Sequence, residues 1–141
     1  MVQGKLVKIL IIDGQGGKLG RQLITSIRES FLKVHITAIG TNSIATSNMI
    51  KAKVDVAVTG ENAIVHNAKL ADIIVGPIGI VIADSLYGEI TPIMAQAVGL
   101  SQAYRILIPM NKCHNVVVGI EKMTLTKMIE FTIDEIKKII D

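Results

Sequence analysis

The chain has 141 residues, half of them hydrophobic, with a mean hydropathy of +0.50 and a formal net charge of +3, which excludes a disordered chain of low hydrophobicity and high charge. A single cysteine excludes a disulfide framework or a cysteine-built metal site within one chain, and no metal site is expected. With no Trp, two Tyr, two Phe and scattered Lys and Arg, the small cationic excess reads as a solvated surface with no nucleic-acid partner.

Leu6 to Ile12 is nearly continuous in apolar residues and reads as a strand. Lys8 and then Asp13 interrupt that run and no cleavage site follows, so it is not read as a signal peptide, and a cytoplasmic protein is expected. Lys18 to Phe31 places Leu19, Leu23, Ile24, Ile27 and Phe31 on one helical stripe. Val34 to Ile39 is the next strand, ended by Gly40, and Ser43 to Ala52 the next helix. Val54 to Val58 is a strand stopped at Thr59-Gly60, Asn62 to Leu70 a short helix, and Asp72 to Val75 a strand stopped by Gly76-Pro77. Ile78 to Gly88 contains Ile80-Val81-Ile82-Ala83, which fits a strand or a buried helix equally.

Ile73 to Ala83, at 11 residues, is the longest apolar stretch. It falls short of the roughly 20 that a spanning helix needs, so no membrane partner is expected. Thr91-Pro92 opens a helix to Leu100, with threonine as cap and proline at the first helical position, where its missing N–H costs nothing. Arg105 to Pro109 and Val116 to Ile120 read as a fifth and a sixth strand, and Thr124 to Ile140 as a closing helix with Ile129, Ile133, Ile136 and Ile140 on one face.

Alternating strands and helices predict right-handed βαβ units and a parallel sheet with both faces covered. The near-continuous Ile/Val strands agree, because strands buried on both sides do not alternate. The expected fold is one α/β domain over residues 1–141, a Rossmann-like three-layer αβα sandwich with a mostly parallel sheet of about six strands. Only about six residues join the last two strands, too few for a parallel crossover, so Val116 to Ile120 is expected as an antiparallel edge strand.

The sharpest chemical signal is Asp13-Gly14-Gln15-Gly16-Gly17-Lys18-Leu19-Gly20, between the first strand and the first helix. Glycines there let backbone approach an anion, and a helix N-terminus offers unpaired N–H groups with positive dipole charge. The strict G-x-G-x-x-G pattern fails at Leu19, although the spacing Gly14, Gly17, Gly20 is kept. A P-loop is excluded, because Leu19 cannot ligate magnesium. A tight turn with close helix–sheet packing is the competing reading. Asp13 would repel phosphate, and binding the loop's own N–H groups is its simplest role. The second strand ends in Gly40-Thr41-Asn42-Ser43, with no acid between Leu32 and Val54 to hold a ribose and no arginine for a 2′-phosphate.

Five strand ends carry small and amide residues: Asp13-Gly14-Gln15, Gly40-Thr41-Asn42, Thr59-Gly60-Glu61-Asn62, Gly76-Pro77-Ile78-Gly79 and Met110-Asn111-Lys112-Cys113. Turn formation accounts for glycine and asparagine there, but a rim that also bears Gln15, Asn42, Asn62 and Asn111 favours a polar small-molecule pocket. The expected ligand-binding residues are Gly14, Gln15, Gly16, Gly17, Lys18, Thr41, Asn42, Gly60, Asn62, Gly76 and Asn111. Glu61 and Glu89 are the candidate catalytic carboxylates, each also readable as favourable charge at a helix N-terminus. Glu89 lies in Leu86-Tyr87-Gly88-Glu89-Ile90, a loop able to fold over the rim as a lid, with Asp84 and Tyr87 nearby. Adjacent Cys113-His114 lacks an orienting third group and is not read as a nucleophile–base pair. His35 and His66 are expected to be packing residues.

These segments resemble, over essentially the whole chain, a small bacterial family known as domain of unknown function 3842. The resemblance rests on Ile11-Ile12-Asp13-Gly14-Gln15-Gly16-Gly17, Gly40-Thr41-Asn42 and Thr59-Gly60-Glu61-Asn62-Ala63-Ile64. It extends through Ala71-Asp72-Ile73-Ile74-Val75-Gly76-Pro77-Ile78-Gly79-Ile80, Gly88-Glu89-Ile90-Thr91-Pro92 and Ile108-Pro109-Met110-Asn111. It implies a Rossmann-like fold and no particular activity. Lys18 stands where a third consecutive glycine is expected, which exchanges close phosphate approach for a cation.

The expected function is binding of a nucleotide, NAD(P) or another, or of a phosphorylated small molecule at the glycine-rich loop and the strand carboxyl ends. The alternative is a non-enzymatic metabolite sensor or a partner subunit of a larger complex. The apolar surplus favours a homodimer or another homo-oligomer.

Overall fold

A computed structural model describes residues 5–110 and 114–141. Its elements run β1 (Val7–Asp13), α1 (Lys18–Ser30), β2 (Val34–Gly40), α2 (Ser43–Ile50), β3 (Val56–Thr59) and α3 (Glu61–Ala68). They continue with β4 (Ile73–Pro77), a 3₁₀ turn (Ile78–Val81), α4 (Pro92–Leu100), β5 (Tyr104–Ile108) and α5 (Leu125–Ile140). The strands form one sheet in the order β3-β2-β1-β4-β5, and every pair is parallel. This is the doubly wound order, with its switch point at β1, where the chain reverses direction across the sheet.

Side-chain alternation along the buried strands divides the core in two. Ile9 and Ile11 of β1 pack with Leu23, Ile24 and Ile27 of α1, Met49 of α2, and Ile129, Ile133 and Ile136 of α5. Leu10 and Ile12 face the other way, onto Ile64 of α3 and Met94 and Val98 of α4. The loops that follow β1 and β4 therefore leave toward opposite faces, which opens the rim between them.

The sixth strand does not form. Among the described residues the sheet has five strands, and the antiparallel edge is absent. The valine run is only three residues long before Gly119, at φ +84°, turns the chain out of extended geometry. Val116 and Val118 stay 84 % and 93 % exposed, so β-propensity finds no neighbour to pack on. Ile78 to Gly88 is neither of the two expected alternatives: the 3₁₀ turn passes into a series of turns.

Helix α5 closes the α1 face, and Ile136 on it is fully buried. Ile136→Ala should cost about 2–5 kcal/mol, read as a lower urea midpoint with an unchanged denaturant slope.

Candidate functional site

The register between the first two strands sets the geometry. Asp13 pairs with Gly40, so Gly14-Gln15 and Thr41-Asn42 leave the sheet side by side. The Thr41 N–H donates to the Asp13 carbonyl at 3.0 Å and locks the two ends together. The glycine loop then closes as a turn, Gly17 N–H to the Gly14 carbonyl at 3.0 Å. From α2, Asn42 Nδ2 donates to the Gln15 carbonyl and Asn48 Nδ2 to the Gly16 carbonyl, each at 3.0 Å. Asn42 also caps α2, accepting the Ala45 N–H at 2.8 Å. Asn48 was not expected here, and nothing local in the sequence pairs it with the loop.

Asp13 takes the bland role expected of it. Its carboxylate accepts the N–H of Gly14 at 2.8 Å and of Gly20 at 2.7 Å. Gly17, the N-cap of α1, has no side chain for capping, so Asp13 satisfies one of the helix's first N–H groups instead. Burial pushes the Asp13 carboxyl above its ordinary range, against the lowering effect of those two bonds and with a smaller upward push from the charge on Glu89.

Glu89 is the centre of the rim. The segment after β4 leaves on the α3–α4 face and returns over the carboxyl ends of β1 and β2. Leu86, 2 % exposed, anchors it in the same core cluster as Ile12 and Ile39, while Tyr87 beside it is 96 % exposed. Oε1 of Glu89 accepts three donors: Thr41 Oγ1 at 2.6 Å, Asn42 Nδ2 at 2.7 Å and the Gln15 N–H at 2.8 Å. Partial burial pushes its carboxyl up, but the bonds from Thr41, Gln15 and Asn42 outweigh that and hold it below the ordinary range. A Cβ on Gly14 would lie 2.7 Å from Thr41 Oγ1 and 2.9 Å from a Leu86 methyl, so only glycine lets the loop seat here.

The outer side of the loop has the opposite character. Among the described residues, the N–H groups of Gly16, Lys18 and Leu19 have no acceptor. A cavity of about 320 Å³ opens there, lined by Gly16, Ser43, Ser47, Asn48 and Lys51. A second, of about 730 Å³, begins at Lys18, Arg21 and Asn48 and runs between α1 and α5. Arg21, which donates to Asn48 Oδ1 at 3.1 Å, lines the larger cavity with Lys18, and Lys51 lines the smaller one with Gly16, although neither stood out in the sequence.

The other expected residues lie apart from this centre. Glu61 opens α3 and accepts the Thr91 hydroxyl at 2.7 Å, bracing the cap of α4. Gly60, at φ +105°, is the N-cap of α3, and Asn62 follows on its exposed side. Gly76 packs its backbone against the Ile12 carbonyl, where a Cβ has no room. Asn111 and Cys113 lie outside the described residues, and His114 is exposed. Among the described residues no three His, Cys, Asp or Glu side chains converge as metal ligands, and no helix is long and apolar enough to cross a membrane.

The family profile described as Domain of unknown function (DUF3842) matches residues 8–141. The chain belongs to the DUF3842 family. No curated protein matches it in sequence. Among solved structures, this DUF3842 protein is similar to a dodecameric FMN-dependent UbiX-like decarboxylase from Escherichia coli O157:H7. The TM-score is 0.43 at 13% identity, over 94% of this chain and 92% of that one.

Two outcomes test this geometry. Gly17, at φ +73°, has a phantom Cβ 2.5 Å from the Ala45 carbonyl, whereas a Cβ on Gly16 meets nothing within 4 Å. Gly17→Ala should therefore destabilise by about 2–4 kcal/mol and Gly16→Ala by less than about 0.5 kcal/mol, both measured by urea unfolding. The second concerns pH. A carboxyl whose folded pKa is lowered stabilises fully above its unfolded value, near 4.3, and loses that contribution as pH falls through the folded value. The stability advantage of wild type over Glu89→Gln should hold from pH 7 to about 5 and shrink below the ordinary carboxylate range. Asp13, shifted upward, follows the opposite sign, losing its contribution as pH rises through its folded value. It is present in both proteins, so it cancels to first order in the difference.

Proposed function

We propose that this protein binds a nucleotide or another phosphorylated small molecule at the glycine-rich loop. The carrying observation is the division of the loop's backbone donors. Those of Gly14, Gln15 and Gly20 are taken by the carboxylates of Asp13 and Glu89, while those of Gly16, Lys18 and Leu19 have no acceptor among the described residues. A phosphate on the open set meets three N–H groups at a helix N-terminus, the favourable end of its dipole. Lys18, Arg21 and Lys51 line the adjoining cavities and add cationic charge. Asp13 does not oppose this, because its charge is spent on N–H groups beneath the loop.

The sensor alternative has one feature in its favour. Tyr87 stands 96 % exposed on the loop that carries Glu89, where a partner can read the state of the rim. Self-association in the cytoplasm fits the exposed Ile93 and Leu100 of α4.

Thermal unfolding against NAD, NADP, ATP, GTP and sugar phosphates tests the binding. A ligand at a hundred times its Kd adds about 2.7 kcal/mol and should raise the melting temperature measurably. Gly16→Asp places a carboxylate over the open N–H groups at a position with room for it. The variant should fold normally and lose the ligand-induced shift. A full shift in Gly16→Asp, or no shift in wild type with any phosphorylated compound, would end the proposal.

A further inference from the structure

The second strand ends without the acid that a doubly wound fold uses to hold a ribose, and the structure brings an acid to that place from elsewhere in the chain. Glu89 arrives from the loop after β4 and lies against Thr41 and Asn42, the residues that follow β2. We propose that Glu89 accepts the vicinal hydroxyls of a nucleotide's ribose through its free carboxylate oxygen, and so selects against a ribose 2′-phosphate. The inference rests on the nucleotide reading of the glycine loop.

Three observations carry it. First, a carboxylate offers about four lone-pair sites, and the three donors to Glu89 all converge on Oε1. Among the described residues Oε2 has no donor, so both of its lone pairs remain for a ligand. Two hydroxyls on neighbouring carbons are the complementary chemistry.

Second, the carboxylate is fixed rather than mobile. Its donors come from two strand ends held in register, Asp13 beside Gly40, and Leu86 is buried three residues away. A fixed acceptor loses little entropy when a ligand arrives. The same bonds hold the group ionised, which makes it a strong acceptor and a weak base. That suits recognition of a hydroxyl better than the proton transfer for which Glu89 was a candidate.

Third, position agrees with charge. Through Gln15, Glu89 touches the loop immediately before Gly16, where the open N–H groups begin. Glu89 is thus bonded to the residue that precedes the first open N–H group, that of Gly16. No arginine lies between Leu32 and Val54 to receive a 2′-phosphate, and such a group would meet the Glu89 carboxylate directly.

The test compares three probes by isothermal titration on wild type and Glu89→Gln: adenosine 5′-monophosphate, its 2′-deoxy analogue and adenosine 2′,5′-bisphosphate. Wild type should bind the 5′-monophosphate about tenfold or more tightly than the deoxy analogue, and should bind the bisphosphate more weakly still. The amide oxygen of Glu89→Gln can still accept from Thr41, Asn42 and Gln15, so the rim stays assembled. Its outward NH₂ should weaken the monophosphate and strengthen the bisphosphate. Equal binding of the monophosphate and its deoxy analogue to wild type overturns the role of Glu89 and leaves the phosphate reading standing. Tighter binding of all three probes to Glu89→Gln also overturns it, since Glu89 would then occupy the phosphate's own seat. Binding of none of the three to wild type overturns the role of Glu89 as a ribose acceptor, while the phosphate reading stands or falls on the wider panel of phosphorylated compounds. The wild-type comparison decides the matter even if the variant fails to fold.

Discussion

The register of β1 against β2 is the constraint on which this rim depends. Pairing Asp13 with Gly40 puts two strand ends in step, so one N–H, one hydroxyl and one amide reach the same oxygen of Glu89. A slip of one residue would turn alternate side chains to the opposite face. Ile9 and Ile11 would then exchange places with Leu10 and Ile12 across two filled cores, which the packing on both sides forbids. The sheet's burial thus fixes to within a hydrogen bond where polar groups stand several residues beyond it. The donors in turn fix their acceptor, because three hydrogen bonds to one ionised oxygen are each stronger than neutral ones.

The outcome is a loop with two electrical sides. Beneath and inward, two carboxylates engage Gly14, Gln15 and Gly20; on the other side, among the described residues, the N–H groups of Gly16, Lys18 and Leu19 have no acceptor. Either half alone has a structural explanation: acids at a helix N-terminus satisfy orphan donors, and first-turn N–H groups are free in any helix. Their adjacency is harder to explain by folding. A chain that needed only to cap α1 had no use for a second carboxylate reaching back from beyond β4.

Most of the architecture was legible because burial on both faces writes itself into unbroken Ile/Val runs, and because Thr91-Pro92 and the stripe of Lys18 to Phe31 are local signals. The expected sixth strand fails for the converse reason. Val116 to Ile120 has the composition of a strand, but pairing is a property of neighbours, and the turn at Val118-Gly119 cuts the run short. At the site, position was more legible than role. The glycine loop, Thr41, Asn42 and the loop of Glu89 were each identifiable, whereas their meeting on one oxygen depends on contacts 47, 48 and 74 residues apart. No local pattern encodes such a separation. Arg21, Asn48 and Lys51 carry no such signal, because on a helix they look like ordinary solvated residues.

The loop that delivers Glu89 explains why the group is held so firmly. Asp84, Leu86 and Tyr87 all adopt left-handed backbone conformations, at φ 63°, 54° and 57°, with Gly88 following at 87°. Each non-glycine residue in that region costs about 1–2 kcal/mol, so the turn persists only where its surroundings over-determine it. Burial of Leu86 and the three donors to Glu89 supply that compensation, together with the Ser85 hydroxyl bonded to the Gly79 carbonyl at 2.5 Å. The dependence runs both ways: the turn keeps its shape because Glu89 is seated, and Glu89 is seated because the turn has that shape. A less strained loop could bring a carboxylate to the rim, but it would also let the group swing away. Strain balanced against well-made contacts gives a single position instead, which is what an acceptor needs if it is to tell one hydroxyl from none.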